Sequence, residues 1–356
     1  MKKLLKFKWL IVPLFVLVVL IGLYLFYARF GGVKEKIHFT SDIEIEGMLL
    51  RPDTPGPHPA ILLLHGAGDS HQEYDKSYFK FHANAFLEKG FAVLVYTKRG
   101  SGNNDVNYRY FTYKQLLSDA MAALKYLRSQ EDIDQQAIGI MGVSESGWFT
   151  PEMANIDGNI KFIINRVSSP FSVTRTVIHE RKMDALREGF TDEEVEQEIV
   201  PITKQIWQFY IDVYEDPSLA NGPERDRLNR KMKQANADER LGQWFTSDQL
   251  NKYDSLLYAS RGQNYSYDPL PYLKKINVPM LYVMGGKDIN MPTKEIVPFL
   301  EKFRDSSNKP IDIKVYPEAS HYLYKWGLED GPYEGWLYQD GYMDFISGWA
   351  SEQITP

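Results

Sequence analysis

The chain has 356 residues, 44% hydrophobic and 25% charged, enough for one large globular unit or two small ones. It carries no cysteine, which excludes disulfides, thiolate metal sites and a cysteine nucleophile. Residues 1–30 hold five basic groups and no acid, so the remainder has 36 basic against 47 acidic residues, a net charge of −11 that argues against nucleic acid or an anionic lipid surface as partner.

Lys2, Lys3, Lys6 and Lys8 precede an uncharged apolar run from Trp9 to Ala28. About 20 such residues cross the bilayer's hydrocarbon core, about 30 Å thick, as a helix. The run ends in bulky aromatic residues, whereas a cleaved signal peptide has a shorter apolar region and ends in a small-residue site. Tyr24 and Tyr27 at one end and Trp9 at the other suit interfacial aromatic belts. The expectation is an uncleaved membrane anchor over 1–30, with a cleaved signal or a soluble helix as alternatives. The lysines then keep the amino terminus in the cytoplasm, making a single-pass cell-membrane protein with an extracytoplasmic body.

Gly31 to Lys36 reads as a linker. Lys36–Thr40 and Ile43–Leu50 alternate about Ser41-Asp42 and read as a hairpin. The proline-rich stretch 52–59 reads as a surface loop. Ala60–Leu64 and Phe91–Tyr96 are continuous apolar runs, the pattern of strands buried on both faces. Between them Tyr78–Lys89 reads as a helix ended by Gly90. Thr112-x-x-Gln115 is a capping box for a helix with Leu116, Ala120, Leu124 and Leu127 on one face. Strands are expected at Ala137–Met141 and Ile160–Val167. From 172 to 268 the strand rhythm gives way to charged, helix-rich sequence, with capping boxes at Thr191-x-x-Glu194 and Thr246-x-x-Gln249. Strands resume at Val278–Met284 and Ile311–Tyr316, with helices over Thr293–Phe303 and Leu337–Ser351. Strands separated by helices imply an α/β fold with a mainly parallel sheet flanked by helices. The expected division is a 1–30 anchor, a body of 31–171 and 269–356, and a 172–268 helical cap inserted where the sheet's carboxyl ends emerge.

The chemistry centres on Gly142-Val143-Ser144-Glu145-Ser146-Gly147, between a buried strand and a helix. A serine on a sharp strand-to-helix turn, with small residues two positions away, is a nucleophile elbow. Ser146 stands where the second small residue is usually glycine. Ser146 as nucleophile would have Trp148 as its own flank, which is too bulky, so Ser144 is the candidate. A serine hydroxyl needs a histidine to take its proton and a third group to hold that histidine's tautomer. His321 follows the last strand, and Asp288 follows Val278–Met284 through Gly285-Gly286-Lys287. Taken singly, Asp288 could cap a turn and His321 could be a solvated loop residue. Together with Ser144 they stand in the order nucleophile, acid, base, each at a strand's carboxyl end. The loop His65-Gly66-Ala67-Gly68 offers backbone N–H groups, and Ala67, with Gly68 second, joins the N–H of Glu145 as the expected oxyanion hole.

Other patterns fail. Gly66-x-Gly68 lacks the third glycine of a dinucleotide loop, where His71 stands, and His179-Glu180 lacks the second histidine of a zinc-protease helix. The acids of 192–198 read as a solvated helix face. Trp207, Phe209, Tyr210, Tyr214, Trp244 and Phe245 read as cap core, with an apolar acyl pocket as the alternative. No cofactor and no metal are implied.

The motifs His65-Gly66-Ala67-Gly68, Lys98-Arg99-Gly100-Ser101-Gly102, Gly142 to Trp148, Gly286-Lys287-Asp288 and Ala319-Ser320-His321 resemble the α/β-hydrolase superfamily. Within it the chain resembles bacterial esterases related to dienelactone hydrolases, serine aminopeptidases and acyl-CoA thioesterases, over about residues 36–350 outside the cap. Two positions depart from the pattern: Thr97 replaces an aspartate before Lys-Arg-Gly, and Ser146 replaces a glycine. The resemblance implies an α/β-hydrolase fold, Ser144 as nucleophile, His321 as base and Asp288 as its orienter. The expected activity is hydrolysis of a small-molecule ester or acyl substrate. A peptide or acyl-peptide amide substrate, and a non-catalytic surface protein that retains the pocket, are the alternatives.

Overall fold

A computed structural model describes residues 12–22, 30–68, 79–101, 110–237, 240–241, 244–245, 250, 255–325 and 338–355. β1 (Val33–Thr40) and β2 (Glu44–Arg51) form an antiparallel hairpin with Thr40 opposite Glu44. The stretch read as a linker is thus mostly strand. The side chains of Val33 to Lys36 stay exposed, so no apolar alternation marks it, but its backbone pairs with β2 throughout.

β3 (His58–Leu64), β4 (Ala92–Tyr96), β5 (Ile133–Val143), β6 (Ile163–Arg166), β7 (Met280–Gly285) and β8 (Ile311–Tyr316) complete an eight-stranded sheet in the order β1-β2-β4-β3-β5-β6-β7-β8. β2 pairs antiparallel with β4, and the six strands from β4 to β8 run parallel. The apolar run in β3 is buried on both faces: Ala60, Leu62 and Leu64 enter one core, Ile61 and Leu63 the other. The chain leaves β3 for β4 on one side and returns to β5 on the other. That reversal opens a crevice at the carboxyl ends of β3 and β5, where ligands bind in open α/β sheets.

α1 (Lys80–Glu88) links β3 to β4, and α2 (Tyr113–Arg128), with the Thr112–Gln115 capping box formed, links β4 to β5. α3 (Thr150–Ile156) follows β5. Between β6 and β7 the chain forms α4 (Val173–Arg187), α5 (Val200–Glu215), α6 (Pro223–Ala235) and α7 (Ser255–Ser266). The Thr191–Glu194 capping box starts the approach to α5, while 246–249 lies outside the described residues. This segment buries a core of its own, including Trp207, Phe209 and Tyr210 of α5 with Trp244 and Phe245 from between α6 and α7; Tyr214 is 43% exposed. α8 (Leu270–Lys275), α9 (Thr293–Ser307) and α10 (Tyr342–Ile354) complete the fold.

The expected transmembrane helix is overturned. No helix among the described residues is long and apolar enough to cross a membrane. Residues 12–22 are helical. The rest of the apolar run, 9–11 and 23–28, lies outside the described residues. The membrane partner read from that helix is likewise unsupported.

Candidate active site

β5 delivers Ser144 with φ of +50°, a left-handed conformation that costs of order 1–3 kcal/mol for a non-glycine residue and is held only by its surroundings. Two glycines permit the turn. A Cβ on Gly142 would lie 2.6 Å from Thr150 Cγ2 and 2.9 Å from Gly147 Cα, and one on Gly147 would overlap Ser168. Ser168 Oγ in turn donates to the Ser144 carbonyl at 2.9 Å. Ser146 points away from the crevice: its buried Oγ accepts from Val143 N–H at 2.8 Å and lies 3.1 Å from the Leu64 carbonyl. The second serine therefore braces the elbow internally and leaves Ser144 as the available hydroxyl.

Asp288 and His321 arrive on loops after β7 and β8. The loops interlock because Gly285 and Gly286 have no side chains: a Cβ on Gly285 would lie 2.6 Å from the Ala319 carbonyl oxygen, and one on Gly286 would lie 2.7 Å from Pro317 Cα. Lys287 N–H donates to the Ala319 carbonyl at 2.9 Å. Asp288 Oδ1 accepts the N–H groups of Asn290 at 2.9 Å and Met291 at 3.0 Å, which fixes the carboxylate plane. His321 Nδ1 lies 2.9 Å from Asp288 Oδ2, and its Nε2 lies 3.1 Å from Ser144 Oγ. The Asp288 side chain is fully covered and that of His321 is 13% exposed. Asp288 and Ser144, 33 and 177 positions from His321, thus form one hydrogen-bonded line with it.

The loop after β3 runs beside the serine, so that a Cβ on Gly66 would sit 3.6 Å from Ser144 Cβ. Ala67 is exposed, and Glu145 lies in the first turn of the short helix Ser144–Trp148, where N–H groups lack intrahelical acceptors. His65 is buried beneath the loop, and its Nε2–H donates to the Tyr96 carbonyl. Burial drives its pKa down to about 3, so it is neutral and structural.

Sequence reasoning missed three participants. Lys98, just past β4, donates from Nζ to the Gly66 carbonyl at 2.9 Å and to Glu145 Oε2 at 2.5 Å. Ser168 holds the Ser144 carbonyl. Glu180, on α4, feels both His321 and Asp288; burial raises its carboxyl pKa, as does Asp184, and His321 opposes them. The Lys-Arg-Gly motif and the discarded His179-Glu180 pair were the available signals. Arg99 in that motif is structural, making a buried bidentate pair with Asp119 at 2.6 and 2.5 Å.

Trp148 Nε1–H donates to the Phe171 carbonyl at 3.1 Å, and its ring stacks on Tyr113 at 5.9 Å. Tyr267 on the far side of the insertion donates to Glu152 Oε2 at 2.6 Å, and Asn264 Oδ1 takes the Tyr113 N–H at 2.7 Å. Both ends of the insertion are therefore fastened near the elbow.

Comparison with known proteins agrees with this frame. The esterase EstD of Thermotoga maritima is 23% identical over 291 residues, covering 79% of this chain and 59% of that protein. The thiohydrolase aneE of Aspergillus aculeatus is 21% identical, covering 79% of this chain and 83% of that protein. The chain spans 37–59% of the length of the leading curated relatives it matches. Among solved structures, a hypothetical protein of Pseudomonas aeruginosa shares the fold with a TM-score of 0.54 at 17% identity, covering 90% of this chain and 94% of that one. Residues 42–315 match the model of the X-Pro dipeptidyl-peptidase (S15 family), from the β1–β2 turn to the penultimate residue of β8. That match takes in more than half of the sequence, and the chain belongs to the X-Pro dipeptidyl-peptidase (S15 family).

Proposed function

We propose that the protein is a serine hydrolase that cleaves carboxylic esters through an acyl-enzyme on Ser144. The observation that carries this reading is the hydrogen-bonded line from Ser144 Oγ through His321 to Asp288. In the first step the Ser144 oxygen bonds to the substrate's carbonyl carbon while His321 Nε2 takes the hydroxyl proton. The carbonyl's π pair moves to its oxygen, which the N–H groups of Ala67 and Glu145 receive. Asp288 keeps the His321 proton on Nδ1 and offsets the imidazolium charge. Collapse expels the alcohol, which takes the proton from Nε2, and a water molecule then repeats the sequence on the acyl-enzyme.

The matching names of the esterase and thiohydrolase relatives support an ester or related acyl substrate. In this reading residues 31–171 and 269–356 are the catalytic body and 172–268 is a cap that governs access. The test is labelling with a fluorophosphonate, followed by turnover of p-nitrophenyl esters of graded chain length. An adduct on Ser144, and turnover that disappears in Ser144→Ala, are the expected results; an unlabelled wild-type protein refutes the reading.

A second reading, cleavage of a peptide or acyl-aminoacyl amide by the same residues, is favoured by the family match alone. Parallel assays of aryl esters and aminoacyl or X-Pro anilides separate the two, because the anilide has the poorer leaving group and needs a proton delivered to nitrogen.

A further inference from the structure

We propose that Lys98 is a positioning residue that sets both halves of the oxyanion hole; the proposal rests on the hydrolase reading of the site. The two expected donors come from different places. Ala67 lies on the loop after β3, and Glu145 follows the nucleophile on β5. Lys98, from the end of β4, reaches both with one ammonium group, whose side chain is 5% exposed. Its bond to the Gly66 carbonyl is the informative one. That carbonyl and the Ala67 N–H belong to the same planar, trans peptide unit, so they point in opposite directions. A donor that fixes the Gly66 oxygen therefore aims the Ala67 N–H away from Lys98. It also polarises that peptide and strengthens the N–H as a donor. On the other side, the Lys98–Glu145 ion pair holds the side chain of the residue whose backbone N–H is the second donor.

Lys98 is itself held. The next residue, Arg99, is clamped by Asp119, and Gly100 turns the chain with φ of +74°. The loop's other flank is held by the bond from His65 to the Tyr96 carbonyl. The carboxyl end of β4 thus grips the oxyanion loop at two points, and Lys98 carries the grip across to β5. This arrangement depends on β3 lying between β4 and β5 in the sheet.

The experiment compares wild type, Lys98→Met and Lys98→Gln. Fluorophosphonate labelling of the wild type comes first; without a Ser144 adduct the hydrolase reading fails, and the lysine's role falls with it. With that adduct, kcat and KM are measured on a p-nitrophenyl ester, together with inhibition by an alkyl trifluoromethyl ketone, which forms a tetrahedral oxyanion on the serine. Loss of one oxyanion donor costs about 10²–10³ in rate, so Lys98→Met should lower kcat by about that factor with KM within about threefold. The ketone's affinity should fall in parallel, while the pH midpoint of kcat/KM stays in place. Lys98→Gln keeps a neutral donor, is less disruptive to fold, and should show a parallel loss of about tenfold. The proposal is overturned if kcat of the folded variants stays within threefold of wild type. It is equally overturned if kcat falls while ketone affinity does not, or if the loss lies in KM.

Discussion

Replacing Asp288 by asparagine tests the line of three residues at its least exposed point. The substitution is nearly isosteric, and the site dictates how the amide must sit. Asp288 Oδ1 receives the N–H groups of Asn290 and Met291. An amide NH₂ facing two donors would be repelled, so the asparagine's oxygen takes that position. Its NH₂ then replaces Oδ2, 2.9 Å from His321 Nδ1. It donates there, which favours the tautomer with the proton on Nε2 over one whose Nδ1–H turns to the oxygen at the Oδ1 position, 3.1 Å away. An Nε2–H facing Ser144 Oγ cannot accept the serine's proton. The wrong tautomer of a triad histidine costs about 10⁴ in kcat, equivalent to about 5.4 kcal/mol of barrier. The assay is kcat on a p-nitrophenyl ester across pH, with circular dichroism and a urea midpoint to establish that the fold is kept. A folded Asp288→Asn protein within tenfold of wild-type kcat would refute the argument, because the tautomer would then not be set by this carboxylate.

Three further outcomes are expected. Gly147→Ala puts a methyl group into Ser168, whose hydroxyl holds the Ser144 carbonyl. A misplacement of about 1 Å can cost about 10² in rate, so kcat should fall by about that factor, and the overlap should lower the stability read from the urea midpoint by about 1–3 kcal/mol; an unchanged kcat would show that the elbow relaxes without loss. Arg99→Ala strands the buried Asp119 carboxylate and should cost about 3–5 kcal/mol, read as a lower urea midpoint, with a shift under 1 kcal/mol counting against a structural role. His65, held neutral with a folded pKa of about 3 against 6.5 unfolded, contributes stability that is fully present above about pH 6.5 and is lost as the pH falls towards 3. His65→Gln should flatten that part of the stability–pH curve, and an unchanged slope would mean that the histidine is not the group titrating.

Much of the site could be read from the sequence because its residues sit at one kind of place. Ser144 and Asp288 each follow a strand whose continuous apolar run is visible without knowledge of the fold, His321 follows one in which Ile311, Ile313 and Val315 alternate with polar residues, and the structure brings all three within hydrogen-bonding reach. Lys98 was not legible for a topological reason. β4 lies in the sheet beside β3 and on the far side of it from β5, and nothing in the chain order of three consecutive strands states that spatial order. The fate of Ser146 was half legible: Trp148 argued against it as nucleophile, but its internal bonds to Val143 and Leu64 needed coordinates. The apolar run from Trp9 failed differently. Hydropathy measures how long a stretch is greasy, whereas crossing a bilayer requires one helix of that length, and no helix among the described residues is long and apolar enough.

The two points where the insertion joins the body touch each other: Val173 N–H donates to the Tyr267 carbonyl at 3.0 Å, and Thr174 Oγ1 reaches the Tyr265 carbonyl. An excursion of more than ninety residues therefore leaves and returns through a single doorway. Closing such a doorway with a short turn asks little of the rest of the chain, since the entropy of loop closure varies only slowly with loop length. The strands that present the reactive groups would not feel the exchange. A lineage could in this way trade one inserted lobe for another while keeping intact the strands that carry Ser144, Asp288 and His321.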